Sequence, residues 1–135
     1  MWYSRAVETK RTRILMKLHV ISSSSAGNGY ILETNNSALI LECGVPFNEI
    51  TKRVDFDKLD FGVCSHSHGD HAKYLREYLQ RGIRIANNVA IHHNSIGITN
   101  REMIKMGEWF VIPLTMVHDV ECYGFLINHV EYGAI

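Results

Sequence analysis

The run from Cys64 to His71 reads Cys-Ser-His-Ser-His-Gly-Asp-His, and its last six residues carry three imidazoles and one carboxylate. Such crowding of nitrogen and oxygen donors makes chemical sense as a metal site, and much less as a solvated histidine-rich loop. In an extended segment side chains two apart project the same way, so His66 and His68 can reach one cation. Asp70 and His71 then face a second position. Neutral imidazole and carboxylate ligands suit Zn2+, with Mn2+ or iron as acceptable occupants of a two-metal site.

These residues need a frame to hold them. The preceding Phe61-Gly62-Val63-Cys64 reads as a short buried strand, and residues 72–82 have helical spacing of apolar positions with a glycine at the stop. The cluster is therefore expected on a loop between a strand and a helix. Upstream, an alternating strand opens at Met16, followed by strands over 30–34 and 38–43 joined by Asn35-Asn36-Ser37, an antiparallel meander. Between the first two lies Ser22-Ser23-Ser24-Ser25-Ala26-Gly27-Asn28-Gly29, which can present N–H groups and hydroxyls to an anionic ligand. Ser25 and Asn28 are its substrate-binding candidates, although serine clusters and Asn-Gly are also ordinary turn chemistry.

Pro46 is placed to begin a short helix over Phe47, Ile50 and Val54. Further strands are expected at 83–86, 109–114, 115–118 and 122–127, with a helix near 89–95. Strands alternating with helices after a meander point to an α/β (α+β) fold with a mixed sheet. Residues 1–15, polar and basic at their start and without clear periodicity, read as a flexible extension or at most a strand lead-in, leaving 16–135 as one domain or part of one.

Composition sets a plain background. The chain has 135 residues, 46% of them hydrophobic, and a formal net charge of zero. It has no general electrostatic grip on a phosphate backbone, although a bound metal pair would add a local positive field. No apolar run approaches the roughly 20 residues of a membrane span, so a cytoplasmic setting is the expectation, and no membrane partner. Cys43, Cys64 and Cys122 are odd in number and read as buried free thiols. The adjacent His92 and His93 read as a solvent-facing pair, and His19 as a structural histidine.

His66-Ser67-His68-Gly69-Asp70-His71 resembles the H-x-H-x-D-H motif of the metallo-β-lactamase fold hydrolases. The likeness runs from Met16 onward through the Ser-rich Gly-Asn turn, the Leu-Ile-Leu-x-Cys-Gly strand end at 39–44, the motif loop, and Val117-His118-Asp119. Within that superfamily it is nearest to the YycJ-like nucleases and the phage anti-Pycsar phosphodiesterases. The resemblance implies His66, His68 and His118 around one metal, Asp70 with His71 at the second, and Asp119 holding a ligand's orientation from behind. It implies a metal-activated water as nucleophile, with Asp70 as the catalytic residue that orients the water or takes its proton.

The departures are equally specific. Family members carry a further aspartate that bridges the metals and a further late histidine. The acids after Asp119 are Glu121 and Glu131, and His129 directly follows a strand, so neither ligand is identified. Glu42 stands where relatives usually have an aspartate. The chain is accordingly read as the N-terminal half of an αββα sandwich, its first sheet left with an uncovered apolar face drawn from Ile31, Leu39, Leu41, Val63, Val117 and Phe125. A homo-oligomeric partner or a complementing C-terminal chain would cover that face. Two functions follow. One is a metal-dependent phosphodiesterase acting on a small cyclic nucleotide or a nucleic acid, in the host cytoplasm if phage-encoded. The other is a truncated, non-catalytic remnant that binds metal, nucleotide or a partner chain.

Overall fold

The computed structural model describes residues 4–8, 15–66, 69–116, 122–131 and 133–134. Among them, strands β1 (Ser4–Glu8), β2 (Leu15–Ser24), β3 (Gly27–Glu33), β4 (Ala38–Leu41), β5 (Leu59–Val63), β6 (Arg84–Ala86) and β7 (Ser95–Ile96) form one sheet in chain order. The pairs from β1 to β4 are antiparallel and those from β4 to β7 are parallel, as the meander and the later strand–helix alternation require. A second, antiparallel sheet runs β11 (Gly133–Ala134), β10 (Cys122–His129), β9 (Trp109–Met116), β8 (Ile104–Met106). Helices α1 (Phe47–Thr51), α2 (Gly69–Ala72) and α3 (Leu75–Gln80) are short.

Alternation along the strands of the first sheet sends neighbours into two separate cores. Ile31, Ile40 and Ile85 pack with Phe47, Ile50, Leu75 and Leu79 on the helix side. Leu32, Leu39, Val63 and Ala86 pack on the other side with Met106, Trp109, Val111 and Ile127 of the second sheet. Each large side chain buried in this way is worth about 1.5–3 kcal/mol.

This second core corrects the picture of an uncovered first sheet. Trp109, Val111 and Pro113 alternate inward along β9, and that inward face lies over Leu39 and Val63. Of the residues expected on the bare face, Ile31 faces the helices instead, Leu41 and Phe125 are partly buried against the inter-sheet core, and Val117 lies outside the described residues. Among the described residues, the outer side of the second sheet leaves an apolar surface open. There Ile112 pairs with Leu126 and Met116 with Cys122, and Leu126 and Met116 are 51% and 52% exposed.

Within the N-terminal segment, β1 pairs with β2 from Ser4↔His19 to Glu8↔Leu15 and satisfies that strand's otherwise open edge. Three other local expectations change. The helix expected over 72–82 is broken into α2 and α3, because the Tyr74 N–H donates to the carbonyl of Cys43 at 2.9 Å. No helix forms at 89–95. The Asn87 side chain there accepts from the N–H groups of Val89 and Ala90, at 2.9 and 3.0 Å, and folds the segment as a turn into β7. The strands expected at 109–114 and 115–118 are joined through Met116 as β9. No described helix is long and apolar enough to cross a membrane.

Candidate metal centre

Strands β4 and β5 run parallel, with Leu41 opposite Val63, so the segments leaving their carboxyl ends emerge side by side. One segment is Glu42-Cys43-Gly44, and the other is the loop that begins at Cys64. Glu42 adopts a left-handed backbone, φ 70°, while its N–H donates to Val63 O at 2.8 Å. That bend turns its side chain into the metal loop, where it is 8% exposed.

The Glu42 carboxylate is the hub of the site. Its Oε1 accepts the Ser65 N–H at 2.6 Å, and its Oε2 accepts the Ser65 hydroxyl at 2.6 Å and the Nδ1–H of His71. Ser65 spends its single hydroxyl hydrogen on Glu42, so at 2.8 Å from His66 Nδ1 it must accept, and His66 carries its proton on Nδ1. Both imidazoles are thereby left with a lone pair on Nε2, the arrangement that carboxylate-backed metal ligands require. Donor atoms of Glu42, His66 and His71 lie within 4.8 Å of one another. The carboxylate oxygens of Glu42 are already occupied, so we assign it to orienting the histidines. Burial holds the His71 imidazole below its ordinary pKa, which keeps it neutral and able to donate its lone pair.

Asp70 opens α2 and places Oδ2 3.5 Å from His71 Nε2. The loop backbone is tied from beneath. Cys43 N–H donates to His71 O at 2.6 Å, and the Cys64 thiol reaches the carbonyls of His66 and His71 at 3.4 and 3.5 Å. Both thiols are buried and free, whereas Cys122 is only half-buried. Gly44 fits because it has no side chain: a Cβ there would collide with the carbonyl of Asp70 and stand 2.6 Å from the Asn28 nitrogen.

Of the residues singled out in the sequence, His66, Asp70 and His71 come together here. His68, His118 and Asp119 lie outside the described residues. Asn28 reaches the site with its amide turned onto Asp70 and His71, while Ser25 is exposed at the β2–β3 turn. The hydroxyls of Ser22 and Ser24 fold back on Gly27 O, as turn chemistry predicts. His92 and His93 stack on each other, and His92 Nδ1 accepts the Asn94 N–H. His129 is buried on Glu108, and His19 is paired with Glu33. Glu42 is the residue whose central place the sequence left open; its position directly after a buried strand and ahead of Cys-Gly was the available signal.

No family model and no curated protein matches the chain. Solved structures do. The metallo-β-lactamase fold protein YhfI from Bacillus subtilis matches with TM-score 0.69 and 21% identity, over 83% of this chain and 57% of that one. A Cronobacter sakazakii metallo-β-lactamase with a HARLDQ motif gives 0.65 and 9%, over 87% and 57%. The chemotaxis sensor ODP, captured as a peroxy diiron species, gives 0.60 and 14%, over 90% and 58%. This chain therefore spans little more than half the length of these proteins. Together with the two packed sheets and the helices on one face, the likeness shows that this chain has the mixed α/β architecture of part of a metallo-β-lactamase fold.

Proposed function

We propose that this chain carries the metal-binding portion of a metal-dependent hydrolase, a phosphodiesterase acting on a cyclic nucleotide or a nucleic acid, in the manner of the YycJ-like and anti-Pycsar enzymes it resembles in sequence. The observation that carries this reading is the Glu42 hub, which presents the Nε2 lone pairs of His66 and His71 beside the Asp70 carboxylate. His66, His68 and His118 would hold one cation, and Asp70 with His71 would hold the second. Support for His118 comes from its neighbours: Cys122 pairs with Met116 and bridges His66, so both flanks of residues 117–121 stand beside the metal loop. Asp119 follows His118 and is assigned to steadying it.

When bound, a divalent cation would supply Lewis acidity at a phosphoryl oxygen and lower the pKa of a water beside it toward about 7. The protein's own contributions are distinct. Glu42 fixes the tautomers of His66 and His71, Asp70 orients the attacking water and can take its proton, and Ser25 is the exposed candidate for substrate contact. Zinc suits this donor set, and the diiron state of ODP shows iron within the same fold. The zero net charge favours a small cyclic nucleotide over a long strand, because a nuclease adds a basic track for the backbone.

A non-catalytic metal-binding module is the second reading, since the Glu42-backed histidines would hold a cation whether or not turnover follows. The two separate on one experiment. Purified chain is loaded with zinc, its metal content is measured, and hydrolysis of bis-(p-nitrophenyl) phosphate and of cyclic mononucleotides is followed with and without chelator. Both readings expect zinc to bind, to be lost in His66→Ala and to be kept in His93→Ala. Equal zinc content in the two variants overturns both. Chelator-sensitive turnover supports the hydrolase, and zinc binding without turnover, even with a complementing C-terminal segment supplied, supports the module.

A further inference from the structure

We propose that Asn28 is a positioning residue of this centre, holding Asp70 and His71 in register rather than touching substrate; the inference rests on the metal-binding reading above. Asn28 lies on β3 directly after the β2–β3 turn and is 7% exposed. Its side-chain nitrogen faces Ser24 O at 3.0 Å, Asp70 O at 3.1 Å, Asp70 Oδ2 at 3.3 Å and His71 Nε2 at 3.4 Å. Two carbonyls, a carboxylate and an imidazole lone pair are all acceptors, so the amide hydrogens must point this way. On the opposite side the Tyr30 hydroxyl stands 3.3 Å from Oδ1 and 3.0 Å from Ser23 Oγ, so its one hydrogen is shared between the amide's acceptor and that serine. Tyr30 therefore reinforces the one orientation that the site allows.

The consequences follow from hydrogen-bond accounting. Two N–H bonds serve four acceptors, and the shortest contacts tie the β2–β3 turn at Ser24 to the start of α2 at Asp70. The backbone carbonyl of Asn28 accepts the Gly44 N–H at 2.9 Å, fastening the main chain of the same residue to the segment that carries Glu42. The two shortest contacts, to Ser24 O and Asp70 O, use both amide hydrogens, so the His71 Nε2 lone pair, 3.4 Å away, stays available to a cation. Asn28 thus holds the Asp70–His71 segment by its backbone while Glu42 holds the His71 ring at Nδ1. With its hydrogens used inside the protein, the amide has no free donor for a phosphate.

The test is competition of zinc ion alone against a chromophoric chelator at pH 7, with circular dichroism confirming the fold of each variant. Asn28→Ala is expected to weaken zinc binding by about 10- to 100-fold, the usual loss when a group behind a metal ligand is removed. Asn28→Asp keeps the shape but sets a carboxylate against Asp70, and it should not restore affinity. Tyr30→Phe removes only the hydroxyl and should weaken zinc binding by about two- to tenfold; it keeps the proposal testable if the Asn28 variants do not fold. Zinc affinity within twofold of wild type in folded Asn28→Ala, alongside loss in His71→Ala, overturns the proposal and leaves the metal reading standing. Equal zinc affinity in wild type and His71→Ala defeats the metal reading itself. If Asn28→Ala keeps its zinc affinity and only KM for a phosphodiester rises, Asn28 is a substrate contact and the proposal is wrong.

Discussion

Ser65 gives both its backbone N–H and its hydroxyl to the two carboxylate oxygens of Glu42, each at 2.6 Å. Through that double contact a residue on the β4 exit controls the proton of a histidine on the β5 exit. The carboxylate accepts three donors on its two oxygens, so it cannot be exchanged for a group of the same shape that carries a donor in place of one acceptor.

Glu42→Gln tests this directly. An amide nitrogen would replace one acceptor among three donors, leaving Ser65 or His71 facing another N–H. Zinc affinity should fall by about 10- to 100-fold, measured by chelator competition at neutral pH. An unchanged affinity would show that the tautomers of His66 and His71 are set without Glu42.

Gly44 and Gly97 make a contrasting pair. A Cβ at Gly44 meets the Asp70 carbonyl and the Asn28 nitrogen, whereas nothing lies within 4 Å of one at Gly97. Gly44→Ala should cost about 1–3 kcal/mol by forcing the α2 start away from β3, and Gly97→Ala should stay within about 0.5 kcal/mol of wild type. Urea unfolding of both variants decides it, and equal midpoints would contradict the close approach.

Glu33 predicts a pH dependence. Burial raises its pKa, but hydrogen bonds from His19 and Lys58 and the charges of both outweigh that and hold it below the usual value. A carboxylate lowered on folding stabilises the protein above its unfolded pKa, and the contribution is lost as pH falls through the folded value. Glu33→Gln should therefore be less stable by about 1 kcal/mol at pH 7, and the two proteins should converge in acid. A gap that persists undiminished at pH 3 would assign the loss to packing instead.

The outer side of the second sheet should behave as an open apolar surface. Leu126, 51% exposed beside Ile112, is expected to give the chain binding of a hydrophobic dye or self-association. Leu126→Lys should reduce both, while Ile91→Lys, at a residue 99% exposed, should leave them unchanged. Equal reductions in the two variants, measured by dye fluorescence and light scattering, would remove the sheet face as the cause.

What the sequence alone determined was local. Side-chain alternation marked the meander through β2, β3 and β4, and the spacing of His66, Asp70 and His71 marked a metal loop between a strand and a helix, because both patterns are set by neighbours along the chain. Tertiary structure decided what depends on residues far apart. Glu42 meets Ser65 across 23 positions and His71 across 29, and Asn28 meets Asp70 across 42, contacts that exist only once β4 and β5 lie parallel. The same holds for the interruption at Tyr74, where the Cys43 carbonyl takes an N–H that helical periodicity had assigned to a continuous helix. The second sheet is the largest case. Strand segments at 109–114, 115–118 and 122–127 were legible as short, largely apolar runs, but such a run says only that it is buried, and it was the packing of Trp109 and Val111 over Leu39 and Val63 that decided against what.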